Sequence, residues 1–168
     1  GDFAKGILQS GEMIFGTQPN VKAVTLQPSE GPDDIRAKME EAIASFENQD
    51  EVLFLVDLWG GTPFNQANSL FEDHKDKWAI VAGMNLPMVI EAYASRFSME
   101  SAQEIAANIL KSAREGVKVK PESLEPEEST KATTDSVQQS NNVGAPGSFE
   151  YVLARIDSRL LHGQVATA

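Results

Sequence analysis

"EVLFLVDLWGGTPFN", residues 51–65, decides how this chain folds. Its first half is a near-continuous apolar run, the kind found in parallel strands buried on both faces. The run ends on a carboxylate, Asp57, followed by the paired glycines Gly60 and Gly61 and the hydroxyl of Thr62. Thr62 then reads as the cap of a helix with Pro63 in its first turn and Phe64, Ala67, Leu70 and Phe71 along one face. Strand, glycine turn and helix follow one another without a break.

The same alternation continues outward in both directions. Downstream, "WAIVAGMN" predicts a second buried strand. "PMVIEAYASRF" and "SMESAQEIAANILKSAREG" predict amphipathic helices, the latter closed by Arg114 and Gly116. Upstream, "PDDIRAKMEEAIASF" sets Ile35, Met39, Ile43 and Phe46 on one helical face, with Pro32 in the first turn. Before it, "VKAVTLQ" is β-branched and predicts a strand, and "FAKGILQSGEMIFG" predicts a helix with Asp2 as cap and Gly16 as stop. The fold class is therefore α/β: a doubly wound, mainly parallel sheet with helices on both faces. Such domains open on a strand and this one opens on a helix, so the first strand is expected to be missing. "GVKVK" (116–120) predicts a short edge strand that pairs antiparallel with a partner subunit.

The chain has 168 residues, 41% of them hydrophobic, which gives room for one domain and part of another. Residues 1–120 form the first. Residues 121–148 lack aromatics and are rich in Pro, Ser, Thr, Glu and Asn, so they read as a flexible linker. In residues 149–168, "FEYVLARID" resumes a strand pattern and "SRLLHGQVATA" resembles a loop entering a helix, the start of a second α/β domain. A net charge of −11 repels a phosphate backbone, and nucleic acid is excluded as a partner. Without cysteine there are no disulfides or thiolate ligands. No run is apolar and long enough to cross a bilayer and no signal peptide is recognisable, which predicts a cytoplasmic protein.

Ligands of open parallel sheets bind beyond the carboxyl ends of the strands. Asp57 stands there, and a carboxylate ending so apolar a run is costly to desolvate without a partner. The "WGGTP" turn suits a phosphoryl group, though a Gly-Gly turn with a Thr cap also serves as chain punctuation. There is no GxxxxGK[ST], GxGxxG or GxSxG motif and no cluster with metal-ligand spacing, so nucleotide, zinc and triad chemistry lose support and no cofactor is expected. Of the two histidines, His74 in "EDHKDK" reads as a solvated loop residue. His162 lies in a loop with Arg155, Asp157, Arg159 and Gly163. A neutral imidazole there can accept a phosphoryl group whose oxygens the arginines neutralise, or it can be an ordinary loop histidine.

"LVDLWGGTPFN" (55–65), "AGMNLPM" (82–88) and "ARIDSRLLHGQVAT" (154–167) together resemble the fused IIA and IIB subunit of the mannose-family sugar phosphotransferase system. The resemblance implies a phosphoryl relay. Phosphate passes from the histidine phosphocarrier protein to a IIA histidine, then to a IIB histidine, then to a sugar held by the membrane subunits IIC and IID. Localisation would be cytoplasmic, peripherally associated with that membrane complex, with a homodimer as the working form. Gly1 matches the residue just after the family's phosphorylated IIA histidine, which this sequence lacks. Asp57 matches the carboxylate that orients that histidine, Thr62 the hydroxyl of its phosphoryl pocket beside Gly60 and Gly61, and His162 the IIB acceptor flanked by Arg155 and Arg159. Residues 1–168 alone are then expected to be inactive in the relay. A competing reading is a receiver-like signalling module phosphorylated on Asp57 itself, although the acidic pair that would hold magnesium is unmatched.

Overall fold

The two apolar runs become β1 (Leu53–Val56) and β2 (Ala79–Ala82), paired in parallel from Leu53 opposite Ala79 to Val56 opposite Ala82. The computed structural model describes residues 1–127. Five helices surround the strands: α1 (Phe3–Phe15), α2 (Pro32–Ala44), α3 (Thr62–Phe71), α4 (Leu86–Ser95) and α5 (Ala102–Glu115). Parallel strands need a crossover, and α3 supplies it between β1 and β2.

The period-2 alternation of side chains sorts the core into two layers. Leu53, Leu55 and Val81 face α4 and α5, packing with Met88, Ala92, Ile105, Ile109 and Ala113. Phe54, Val56, Ile80 and Ala82 face the other way, toward Ile35 and Met39 of α2 and Phe64, Ala67 and Leu70 of α3. Helices thus cover both faces of a small parallel sheet. The outermost helix, α1, rests on α4 through Gly11. A Cβ there would stand 3.1 Å from Tyr93 Cε2 and 3.2 Å from Val89 Cγ1. The Tyr93 hydroxyl is buried without a hydrogen-bond partner, and burial, reinforced by Glu12, raises its pKa above the ordinary tyrosine range.

Several expectations need correction. "VKAVTLQ" takes no regular secondary structure; Val24 and Leu26 pack on the α2–α3 layer, but the segment joins no ladder among the described residues. β-branching and alternation favour extended backbone, whereas a strand also requires a hydrogen-bonded neighbour. For the same reason residues 117–120 are not a strand; Val117 is 71% exposed. Asp2 occupies the cap position of α1 as expected, but its side chain makes no capping hydrogen bond; its Oδ1 accepts from Gln27 Nε2 at 2.9 Å. Of the expected linker, residues 122–124 form a 3-10 turn, and everything from 128 onward, including the start of the second domain, lies outside the described residues.

The "VKAVTLQ" segment is fastened to α2 by an ionic clasp. Lys38 Nζ reaches Glu30 Oε2 at 2.6 Å and the Thr25 carbonyl at 2.9 Å, while the Gln27 N–H donates to Glu30 Oε1 at 2.9 Å. The Lys38 hydrogen bond, then that of the Gln27 amide, holds the Glu30 carboxyl below its ordinary value of 4.5. A carboxylate whose folded pKa is depressed stabilises the fold above the unfolded value, and that contribution disappears as pH falls through the folded one. We expect Glu30→Gln to be less stable than the parent at pH 7. Urea melts taken from pH 7 down through the carboxylate range should show that difference shrinking; a pH-independent difference would mean that Glu30 does not carry it.

Candidate functional site at the end of the first strand

β1 ends at Val56, whose carbonyl accepts from the Met84 N–H at 3.0 Å, and the chain then turns. Asp57 is the first residue beyond. It is exposed, and no ion pair or side-chain hydrogen bond reaches it among the described residues. The desolvation argument for Asp57 is thus overturned: Val52 and Val56 are buried and Leu53–Leu55 partly so, while the terminal carboxylate stands in the open, free to accept.

The turn that follows is tightly built. The Gly61 N–H donates to the Leu58 carbonyl at 3.3 Å, the Asn65 N–H to the Gly61 carbonyl at 2.9 Å, and the Asn65 side-chain amide to the Gly60 carbonyl at 3.2 Å. Gly60 has φ +78°, a left-handed conformation that a Cβ would strain. Gly61 has an ordinary φ of −69°, and a Cβ there would make only van der Waals contact with Leu58. Of the two glycines, Gly60 is therefore the one that the backbone demands.

Gly61, and not Thr62, occupies the cap position of α3; Thr62 is the first helical residue. A glycine cap has no side-chain acceptor, so the first N–H groups of α3 are left without one. The N-termini of α1 and α2 likewise have no side-chain cap, whereas those of α4 and α5 are closed by side chains. Asn85 Oδ1 accepts from the Met88 N–H at 2.9 Å on α4, and Glu51 Oε2 from the Ala102 N–H at 2.9 Å on α5. The open end of α3 carries unsatisfied donors and the positive pole of the helix, with the Thr62 hydroxyl beside them. Asp57, Gly60, Gly61 and Thr62 thus lie within one six-residue turn. Asn65 and Trp59 were given no role in the sequence reading. Asn65 ties the turn to the helix, and the Trp59 ring lies 4.3 Å from that of Phe64 while remaining 73% exposed. The spacing from Gly60 to Asn65, an amide-bearing residue one turn into the helix, was the available signal.

His74 is not a bare loop histidine, for its ring stacks on the buried Trp78 at 3.8 Å and 12°. It lies beyond the end of α3 opposite the open one. His162, Arg155 and Arg159 fall outside the described residues.

Residues 1–110 match the family model for the fructose IIA component of the phosphotransferase system. This chain belongs to the mannose-type EIIA family. It is similar to the mannose-specific EIIAB component of Escherichia coli, 36% identical over 168 residues, which cover 98% of this chain and 52% of that protein. The chain thus spans about half the length of these EIIAB relatives. A fructose-specific EIIA component of Bacillus subtilis is 33% identical over 125 residues, 74% of this chain and 84% of that protein. Among solved structures, EIIA of Streptococcus agalactiae superposes with a TM-score of 0.65 at 33% identity, covering 71% of this chain and 90% of that one. As a member of that family the chain is a phosphotransferase-system IIA component. These matches favour that reading over a receiver module. No helix among the described residues is long and apolar enough to cross a membrane.

Proposed function

We propose that the turn from Asp57 to Thr62 is the phosphoryl pocket of a histidine relay. A carboxylate standing free beside an uncapped helix N-terminus, in a chain of this family, is the observation that carries the reading. In the relay the P–N bond to the phosphocarrier's imidazole breaks as a P–N bond forms to the family's IIA histidine. Asp57 accepts the N–H of that ring, fixing its tautomer and balancing the cationic phosphoimidazole, while the α3 N–H groups and the Thr62 hydroxyl donate to the phosphoryl oxygens. His162 is the next acceptor, with Arg155 and Arg159 neutralising its phosphoryl group, and the membrane subunits IIC and IID present the sugar. Transfer between two imidazoles changes little in free energy, so catalysis is chiefly alignment, and it calls for no metal. Residues 121–148 tether the two sites and raise their effective concentration. The protein works in the cytoplasm, against its membrane partners, as a homodimer in which Val117–Lys120 pairs with the β2 edge of a second copy.

In cells whose sugar uptake depends on the protein bearing this sequence, His162→Gln should abolish uptake; full uptake would end the relay reading. The phosphorylated protein should keep its label in alkali and lose it in acid, whereas an acyl phosphate on Asp57 would be lost in alkali. Residues 1–168 incubated with the phosphocarrier protein and a phosphate donor should carry no stable phosphohistidine at His162.

A further inference from the structure

The edge of β2 away from β1, unpaired among the described residues, opens onto a groove of about 380 Å³ lined by Trp59, Phe64, Phe71, Trp78, Ile80 and Gln103. Four aromatic rings beside an unpaired strand edge form a surface that a further strand would cover. One segment of this chain matches it. Val117–Lys120 is as long as β2, alternates Val with Lys, lies in no ladder and leaves Val117 71% exposed. Run antiparallel to β2, it sets its lysine-bearing end beside the loop between Phe71 and Trp78, where Glu72, Asp73 and Asp76 stand with Lys75 and Lys77 and Glu72 is already paired with Lys75, so charge neither opposes nor selects the pairing. A second copy is thus the occupant that length and exposure favour.

Trp59 has two memberships. Its ring lines the groove and packs on Phe64, while its backbone lies two residues after Asp57 and directly before Gly60. Whatever fills the groove touches the phosphoryl turn through this one side chain. Resting on the two-copy reading above, we propose that Trp59 is a positioning residue that couples pairing of two copies to the order of the Asp57–Thr62 turn. Each subunit's turn is fully held only when its partner's strand covers Trp59. The free monomer leaves that ring 73% exposed beside Phe64, so its turn samples more conformations and binds an anion more weakly.

The full 168-residue chain tests this by dilution, with mass from analytical ultracentrifugation, tryptophan emission and the affinity for inorganic phosphate read on the same samples. Trp78 is 4% exposed but also lines the groove, so the Trp59→Phe variant assigns any change in emission on association to Trp59. The expected result is a blue shift that follows the rise in mass, with phosphate bound about fivefold more tightly by the dimer than by the monomer. Trp59→Phe should keep the phosphate coupling and lose the blue shift; Trp59→Ala should lose the coupling while circular dichroism remains that of the folded parent. A mass that doubles with emission and phosphate affinity unchanged overturns this inference and leaves the dimer standing. A mass that never rises removes the dimer itself and this inference with it.

Discussion

Ile109→Ala is expected to lower the unfolding free energy by about 2–5 kcal/mol. Ile109 is fully buried on α5, where it packs with Val81, Met88, Ala92, Ile105 and Ala113 and against Leu53 and Leu55 of β1. Both strands and two helices therefore line the hole that truncation leaves. The layer cannot collapse around it without moving the sheet, so the cost includes the cavity as well as the lost transfer free energy. Against a domain stability of roughly 5–15 kcal/mol, this is a large fraction of the whole. Two comparisons isolate the mechanism. Ile109→Val removes one methylene and should cost only about 0.5–1.5 kcal/mol. Leu110→Ala changes the adjacent residue, which is 38% exposed, and should cost less than Ile109→Ala although it deletes as many carbons. Urea melts with unchanged m values and midpoints in that order are the expected outcome. Equal losses at 109 and 110 would mean that the α5 face of the sheet is not packed as described.

What was legible in the sequence was whatever depends on one segment at a time. The apolar run before Asp57 and its counterpart before Gly83 could only be buried strands. The 3.6-residue stripes of α2 and α3 announced both the helices and the faces they bury, at Ile35, Met39 and Ala67, and amphipathic composition announced α4 and α5. The α/β class follows from their order. What depends on a second segment was not legible. "VKAVTLQ" and "GVKVK" have the composition of strands, but pairing is a property of two chains of atoms, and no neighbour among the described residues supplies it. Asp57 was located correctly at the strand end, whereas its exposure was misjudged, because a run's hydropathy says how its interior is solvated and not where its last residue emerges. The cap of α3 was assigned to the residue with a hydroxyl. The backbone placed it one residue earlier, on a glycine, and that shift leaves the helix end open to a ligand.

The same opening makes Asp57→Asn the most informative change at the site. Asparagine keeps the shape of aspartate and can still accept a hydrogen bond, but it carries no charge to balance a cationic phosphoimidazole, and its amide can equally present a donor that selects the wrong tautomer. If Asp57 orients the relay histidine, sugar uptake through the protein bearing this sequence should fall by roughly 10³-fold. A purely structural aspartate predicts a different pattern. It would have partners to lose, and Asp57 has none among the described residues, so the thermal midpoint of Asp57→Asn should match the parent or rise slightly as net charge falls from −11. Glutamate retains the charge but sets it one methylene farther out, so Asp57→Glu should recover part of the rate only as far as geometry, rather than charge, permits. Loss of uptake with unchanged stability assigns the carboxylate to the chemistry; parallel losses in both would return it to the fold.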